Sequence, residues 1–137
     1  MDNIPLTEMK KKEILDLFEC IGNTDDSEAA NDLENAVRQS GVIGTTIIFD
    51  NLKLGRYLTD TIWLCQRLGL QESIPLLGQY LTSNEQMVKI AAAIALTKLG
   101  NQAGLLKLKQ MVESTKVPKD WLEIYGISEQ LLSGQNK

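Results

Sequence analysis

The sequence predicts an all-α fold, an α-solenoid of about three to four stacked antiparallel helix pairs, on three observations. Apolar residues recur at i, i+3, i+4 spacing along nearly all of the 137 residues. From Tyr57 onward the pattern repeats with a period of 31 residues. Only Thr45-Thr46-Ile47-Ile48-Phe49 is rich in strand-favouring side chains, and the chain holds no second candidate to pair with it.

The elements follow in order. Leu6, Met9, Ile14, Leu17, Phe18 and Ile21 form the apolar stripe of a first helix, which Gly22-Asn23 ends as a C-cap pair. Asp25-Asp26-Ser27-Glu28 is a D-x-x-E start, Asp25 accepting an early backbone N–H and Glu28 reaching back. Ala29, Ala30, Leu33, Ala36 and Val37 make the second stripe, stopped at Ser40-Gly41. Residues 42–54 read as a short helix, because helices flank them on both sides.

The repeat then takes over. Shifted by 31, Leu68-Gly69 returns as Leu99-Gly100, Cys65 matches Leu96, and Ile74, Leu77 and Leu81 match Leu105, Leu108 and Val112. Identity between 57–83 and 88–114 is only 6 of 27, so the pattern carries the assignment. Each unit reads as a helix, a Leu-Gly stop, a short loop and a second helix. The glycine supplies a left-handed cap without a Cβ clash. Pro75 falls in the opening turn of its helix, where a missing N–H costs little. Ser83-Asn84-Glu85-Gln86 reads as an S-x-x-Q capping box for the next unit.

Residues 84–112 resemble a HEAT-like repeat of the phycobilisome-lyase type. Val88-Lys89, the alanines from Ala91 to Ala93, Leu99-Gly100 and the run Leu105 to Leu108 stand where that pattern places them. The unit at 57–83 departs from it, with Trp63 in place of a small residue and Asp60 opposite Ala91. The resemblance covers roughly 60 residues and implies a HEAT/armadillo-like array. Helix packing agrees with it. Ala91, Ala92, Ala93 and Ala95 allow close approach, while Val88, Ile90, Ile94, Leu96 and Leu99 make the helix apolar on more than one side. Such a helix must be covered on both sides. Repeats of this kind need about three units and atypical ends. The expectation is one domain over 1–137, with degenerate or capping helices at 1–54, repeats at 57–83 and 84–114, and a capping helix at 118–133.

Composition narrows the function. At 43% hydrophobic and 23% charged residues the chain is ordinary globular material. It contains no histidine, which removes His triads, Cys–His dyads, histidine proton shuttles and His-containing metal sites. Cys65 lies on an apolar face and reads as a packed hydrophobe. Cys20 stands beside Glu19 near a helix C-terminus, surroundings that do not make a nucleophile of a thiol. Gly41-Val42-Ile43-Gly44 lacks the lysine and strand of a phosphate loop. Asp60 near Trp63 is similar to the carboxylate-plus-aromatic sites of HEAT-like DNA glycosylases, which require a basic groove. Trp63 and Trp121 read as core or cap residues. Residues 1–12 have no apolar h-region, and no run is long enough for a membrane span, so a cytoplasmic setting is expected.

Charge supplies the remaining signal. Between Glu13 and Glu34 stand eight carboxylates and no lysine or arginine. They create a strongly negative local potential, which disfavours direct nucleic-acid binding. The expected function is non-enzymatic protein binding with no cofactor and no metal. Its most concrete form is a bacterial immunity- or inhibitor-type protein that neutralises a basic toxin or nuclease. Asp25, Asp26, Glu28 and Asp32 would meet that partner, and Gln79 and Tyr80, with Lys107 and Gln110 in or near register, would lie on the concave face of the array. Two other classes stand beside it. One is a chromophore- or cofactor-handling lyase-like factor, as the resemblance implies, and the other is a structural adaptor that self-associates.

Overall fold

A computed structural model describes residues 6–23, 27–114 and 117, and among them every regular element is helical, with no strand. Among the described residues seven α-helices run in order: α1 Leu6–Asn23, α2 Ser27–Ser40, α3 Val42–Leu54, α4 Leu58–Leu68, α5 Ile74–Gly78, α6 Gln86–Lys98 and α7 Gln102–Glu113. The all-α expectation holds for these residues. The chain divides into two compact units, the first ending at Leu68 and the second beginning at Gly69.

In the first unit, α1 packs against α2 and α3, and α3 packs against α4. The predicted stripes supply part of its core, Ile14 and Phe18 from α1, Leu33 and Val37 from α2 and Cys65 from α4, and Ile62 and Leu64 of α4 join them. Burial also explains why the β-branched stretch is helical. Ile47, Ile48 and Leu52 are all buried on α3, and their i, i+1, i+5 spacing gathers them on one helical face. Tertiary burial outweighs the modest helix propensities of isoleucine and threonine. Met9, placed in the buried stripe by its spacing, is instead 55% exposed.

One link from α4 to the N-terminal helix is aromatic. Tyr57 stacks on Phe18 with ring centroids 5.5 Å apart, and its hydroxyl donates to Glu19 Oε1 at 3.3 Å. Tyr57 does so at a backbone φ of 49°, the left-handed region that side chains other than glycine seldom occupy. Its carbonyl accepts from Thr61 N–H at 2.8 Å and opens α4.

In the second unit α6 is the central element. It packs against α7, α5 and the 3-10 segment Gln79–Thr82. Val88, Ile90, the run from Ala92 to Leu96 and Leu99 are buried, as a helix covered on more than one side requires. Ile90, Ala93 and Ile94 meet Leu108, Met111 and Val117 in one cluster. Close approach is needed at Gly104, where an added Cβ would collide with the Leu96 Cβ and press on the Leu96 backbone.

Both Leu-Gly stops adopt the expected cap, with φ of +65° at Gly69 and +86° at Gly100. The second helix of the first repeat differs from its expectation. Residues 71–82 form a 3-10 turn, the five-residue α5, and another 3-10 segment. Pro75 in the opening turn removes one donor, and Gly78 adds no side chain to hold a longer helix. The capping box at 83–86 is also replaced. Ser83 Oγ accepts from Glu85 N–H at 3.1 Å, so α6 begins after a serine turn with Glu85 at its N-cap. The cap that does form lies at Asn101, whose Oδ1 accepts from Gly104 N–H at 3.0 Å. The proposed start signal at Asp25-Asp26 and the capping helix at 118–133, Trp121 included, lie outside the described residues.

Candidate functional site

Folding redistributes the acidic stretch. In sequence no lysine or arginine stands among its carboxylates, yet bases at its two ends and beyond pair with at least two of them. Asp16 accepts from Lys12 at 2.7 Å one turn away on α1. Glu34, only 6% exposed, binds two arginines: Arg67 Nε donates to Oε1 at 2.9 Å and Arg38 Nη2 to Oε2 at 2.8 Å. The hydrogen bond from Arg67, seconded by Arg38, holds the Glu34 carboxyl below the usual glutamate range against the opposing pull of burial. Arg38 also donates to the Arg67 carbonyl at 3.0 Å, and the Arg67 guanidinium sits 5.9 Å from the centre of the Trp63 ring. Glu34 is thus a joint between α2 and α4 rather than part of a docking surface. Asp60, half-buried in the first turn of α4, moves the other way, since burial pushes its carboxyl above the aspartate range.

Three acids of the stretch, the paired Asp16 among them, meet at a second place. Glu13 and Asp16 on α1 and Asp32 on α2 line a groove of about 720 Å³ between those helices. Met9, Leu17 and Ala36 are its apolar lining residues, and Lys12 is the one basic residue among the described lining. Glu13, Asp16 and Asp32 are exposed, so their charges are available to solvent and to a partner. The helices position these groups by simple periodicity. Met9, Glu13, Asp16 and Leu17 fall at i, i+4, i+7, i+8 along one side of α1, and Asp32 and Ala36 are one turn apart on α2. No nucleophile stands beside a base on this wall, and no described group of three histidine, cysteine, aspartate or glutamate side chains is arranged to hold a metal ion. What the groove offers is an apolar contact ringed by negative charge.

The residues singled out from sequence fall in several places. Asp32 lies on the groove, while Asp25 and Asp26 and the side chain of Glu28 are outside the described residues. Gln79, exposed, and Tyr80, half-buried, belong to the 3-10 segment of the second unit. Lys107 is half-buried and Gln110 exposed on α7. Glu13, Asp16, Met9 and Leu17 are among the groove residues not singled out as partner contacts beforehand. The available signal was a methionine at the solvent edge of the α1 stripe beside two acids three residues apart.

Neither cysteine changes this picture, Cys65 being buried and Cys20 exposed. No described helix is long and apolar enough to cross a membrane. No family model, curated protein or solved structure matches the chain.

Proposed function

We propose that the chain is a HEAT-like helical array that works without catalysis as a protein-binding module, capturing a basic partner on its acidic N-terminal unit. The immunity- or inhibitor-type role, in which the partner is a basic toxin or nuclease, is the concrete form of this reading. The observation that carries it is the convergence of Glu13, Asp16 and Asp32 from two helices on one groove with an apolar lining. Opposed charges accelerate encounter, and an apolar lining lengthens residence. The array reading draws support from the matched Leu-Gly caps and from Gln71, which lies in the loop of one repeat and donates to the Leu99 carbonyl of the next at 3.1 Å. That bond satisfies a helix-end carbonyl across neighbouring repeats, the nearest-neighbour coupling expected of stacked units.

The test compares capture from a lysate of the native cells by three forms of the full chain: wild type, Glu13→Lys/Asp16→Lys/Asp32→Lys, and Gln79→Ala/Tyr80→Ala. Mass spectrometry should find a basic protein retained by the wild type and by the second variant but lost from the first. Under the inhibitor role, that purified partner loses its activity when the wild-type chain is added. Retention by the charge-reversed form would overturn the reading.

A further inference from the structure

The groove between α1 and α2 also constrains the form of what enters it. Every described regular element is helical, so this surface has no strand edge at which an extended peptide could complete its backbone hydrogen bonds. The walls are side chains of two helices whose own amides are engaged internally. A segment laid over the apolar lining finds no backbone partner there, and an α-helix is the form that brings its own backbone hydrogen bonds with it.

Length agrees with this. The lining runs along α1 from Met9 to Leu17 and along α2 from Asp32 to Gln39. Eight residues of α1 span ~12 Å at ~1.5 Å per residue, close to the ~10.5 Å between positions i and i+7 of an incoming helix. Three apolar anchors at i, i+4 and i+7 would thus rest on Met9, Leu17 and Ala36. The rim selects the flanking residues. Glu13, Asp16 and Asp32 face them with three carboxylates, offset within the described lining by Lys12, while Lys10 stands beside Glu13 in an adjoining cavity. The Lys12–Asp16 pair is exposed on both sides, 77% and 63%, and an exposed pair is weak enough for an incoming cation to displace.

We infer that the α1–α2 groove takes one amphipathic helix of a protein partner, seated by three apolar anchors and flanked by lysine or arginine. This rests on the protein-binding reading above and specifies the segment that the partner presents.

The probe is a synthetic capped helix of ~14 residues, with leucine at i, i+4 and i+7, lysine at the flanking positions and alanine elsewhere. Its affinity for the full chain is measured by fluorescence anisotropy, with amide chemical shifts to locate it. Binding should perturb α1 and α2 amides. Replacing the peptide leucines with serine at constant charge should weaken it about tenfold or more. Met9→Ser and Asp32→Lys, both at exposed positions where folding is undisturbed, should each weaken it by a similar factor, while Glu113→Lys on α7 leaves it unchanged. Equal binding of the serine peptide, or equal loss with Glu113→Lys, would reduce the contact to general charge attraction and overturn the inference. Failure of the peptide alongside charge-sensitive capture of a natural partner would sink the helix and leave the binding reading standing. Peptide binding alongside capture that ignores charge reversal would do the opposite.

Discussion

Glu34 and Asp60 show how differently two carboxylates in one four-helix unit can behave. Glu34 is stabilised in its charged form by Arg67 and Arg38, so its folded pKa lies below its unfolded one. Its contribution is present above the unfolded glutamate value and is lost as pH falls through the folded value. Glu34→Gln should therefore cost about 1–2 kcal/mol at neutral pH, a figure kept low because both arginines are about half exposed and can rehydrate. The same substitution should flatten the acid limb of stability against pH in urea melts. Asp60 has the reverse sign. Its folded pKa is raised by burial, so it favours folding least at neutral pH, and Asp60→Asn should raise the neutral melting temperature while leaving the acid value unchanged. Asn51 adds a third case. It is fully buried and donates to Thr61 Oγ1 at 3.3 Å, but its Oδ1 has no hydrogen-bond partner. Replacing both members with apolar residues, Asn51→Leu with Thr61→Val, should leave stability equal or higher, because the uncompensated acceptor disappears. None of these environments was legible in sequence, since Glu34 and Arg67 stand 33 residues apart and burial alone separates Asp60 from an ordinary helix-start acid.

At the level of elements, legibility followed how much local pattern decided. The helix α3 could be placed at Val42–Leu54 because helices flank it on both sides and the sequence offers no second strand candidate to pair with it. The pair α6 and α7 was equally readable from its alanines, its Leu-Gly stop and its leucine stripe. The first repeat was harder, because one register hides two different local chemistries. Position 73 is a serine where its counterpart at 104 is glycine, and of these two Gly104 alone lets its helix approach the neighbouring backbone. Ser73 is buried and instead donates to the Leu70 carbonyl at 2.6 Å, in a segment already shortened by Pro75. Gly104→Ala should accordingly destabilise the second unit by about 1–3 kcal/mol, since the new methyl meets Leu96 rather than open space. A calorimetric melt checks this. An unchanged melting temperature would mean that α6 and α7 do not pack as closely as described.

For the whole molecule, charge is the property that sequence and structure read most differently. The first 69 residues hold 12 acidic and 7 basic side chains, and the rest hold 6 and 7. Sequence located this imbalance but could not say which carboxylates were committed internally. Folding spends Glu34 on the α2–α4 joint and brings Glu13, Asp16 and Asp32 to a single groove. The groove itself was hidden, because it is made by the facing sides of two helices and neither side reveals it alone. Its negative rim predicts association that is fast at low salt and slows as salt screens it over ~8–10 Å. The most direct measurement is the dissociation constant of the captured partner at ~0.05 M and ~0.2 M salt, for the wild type and for Glu13→Lys/Asp16→Lys/Asp32→Lys. The wild type should weaken with salt, and the variant should bind about 100-fold more weakly at low salt, with little salt dependence left. Equal affinities and equal salt slopes in the two proteins would contradict this.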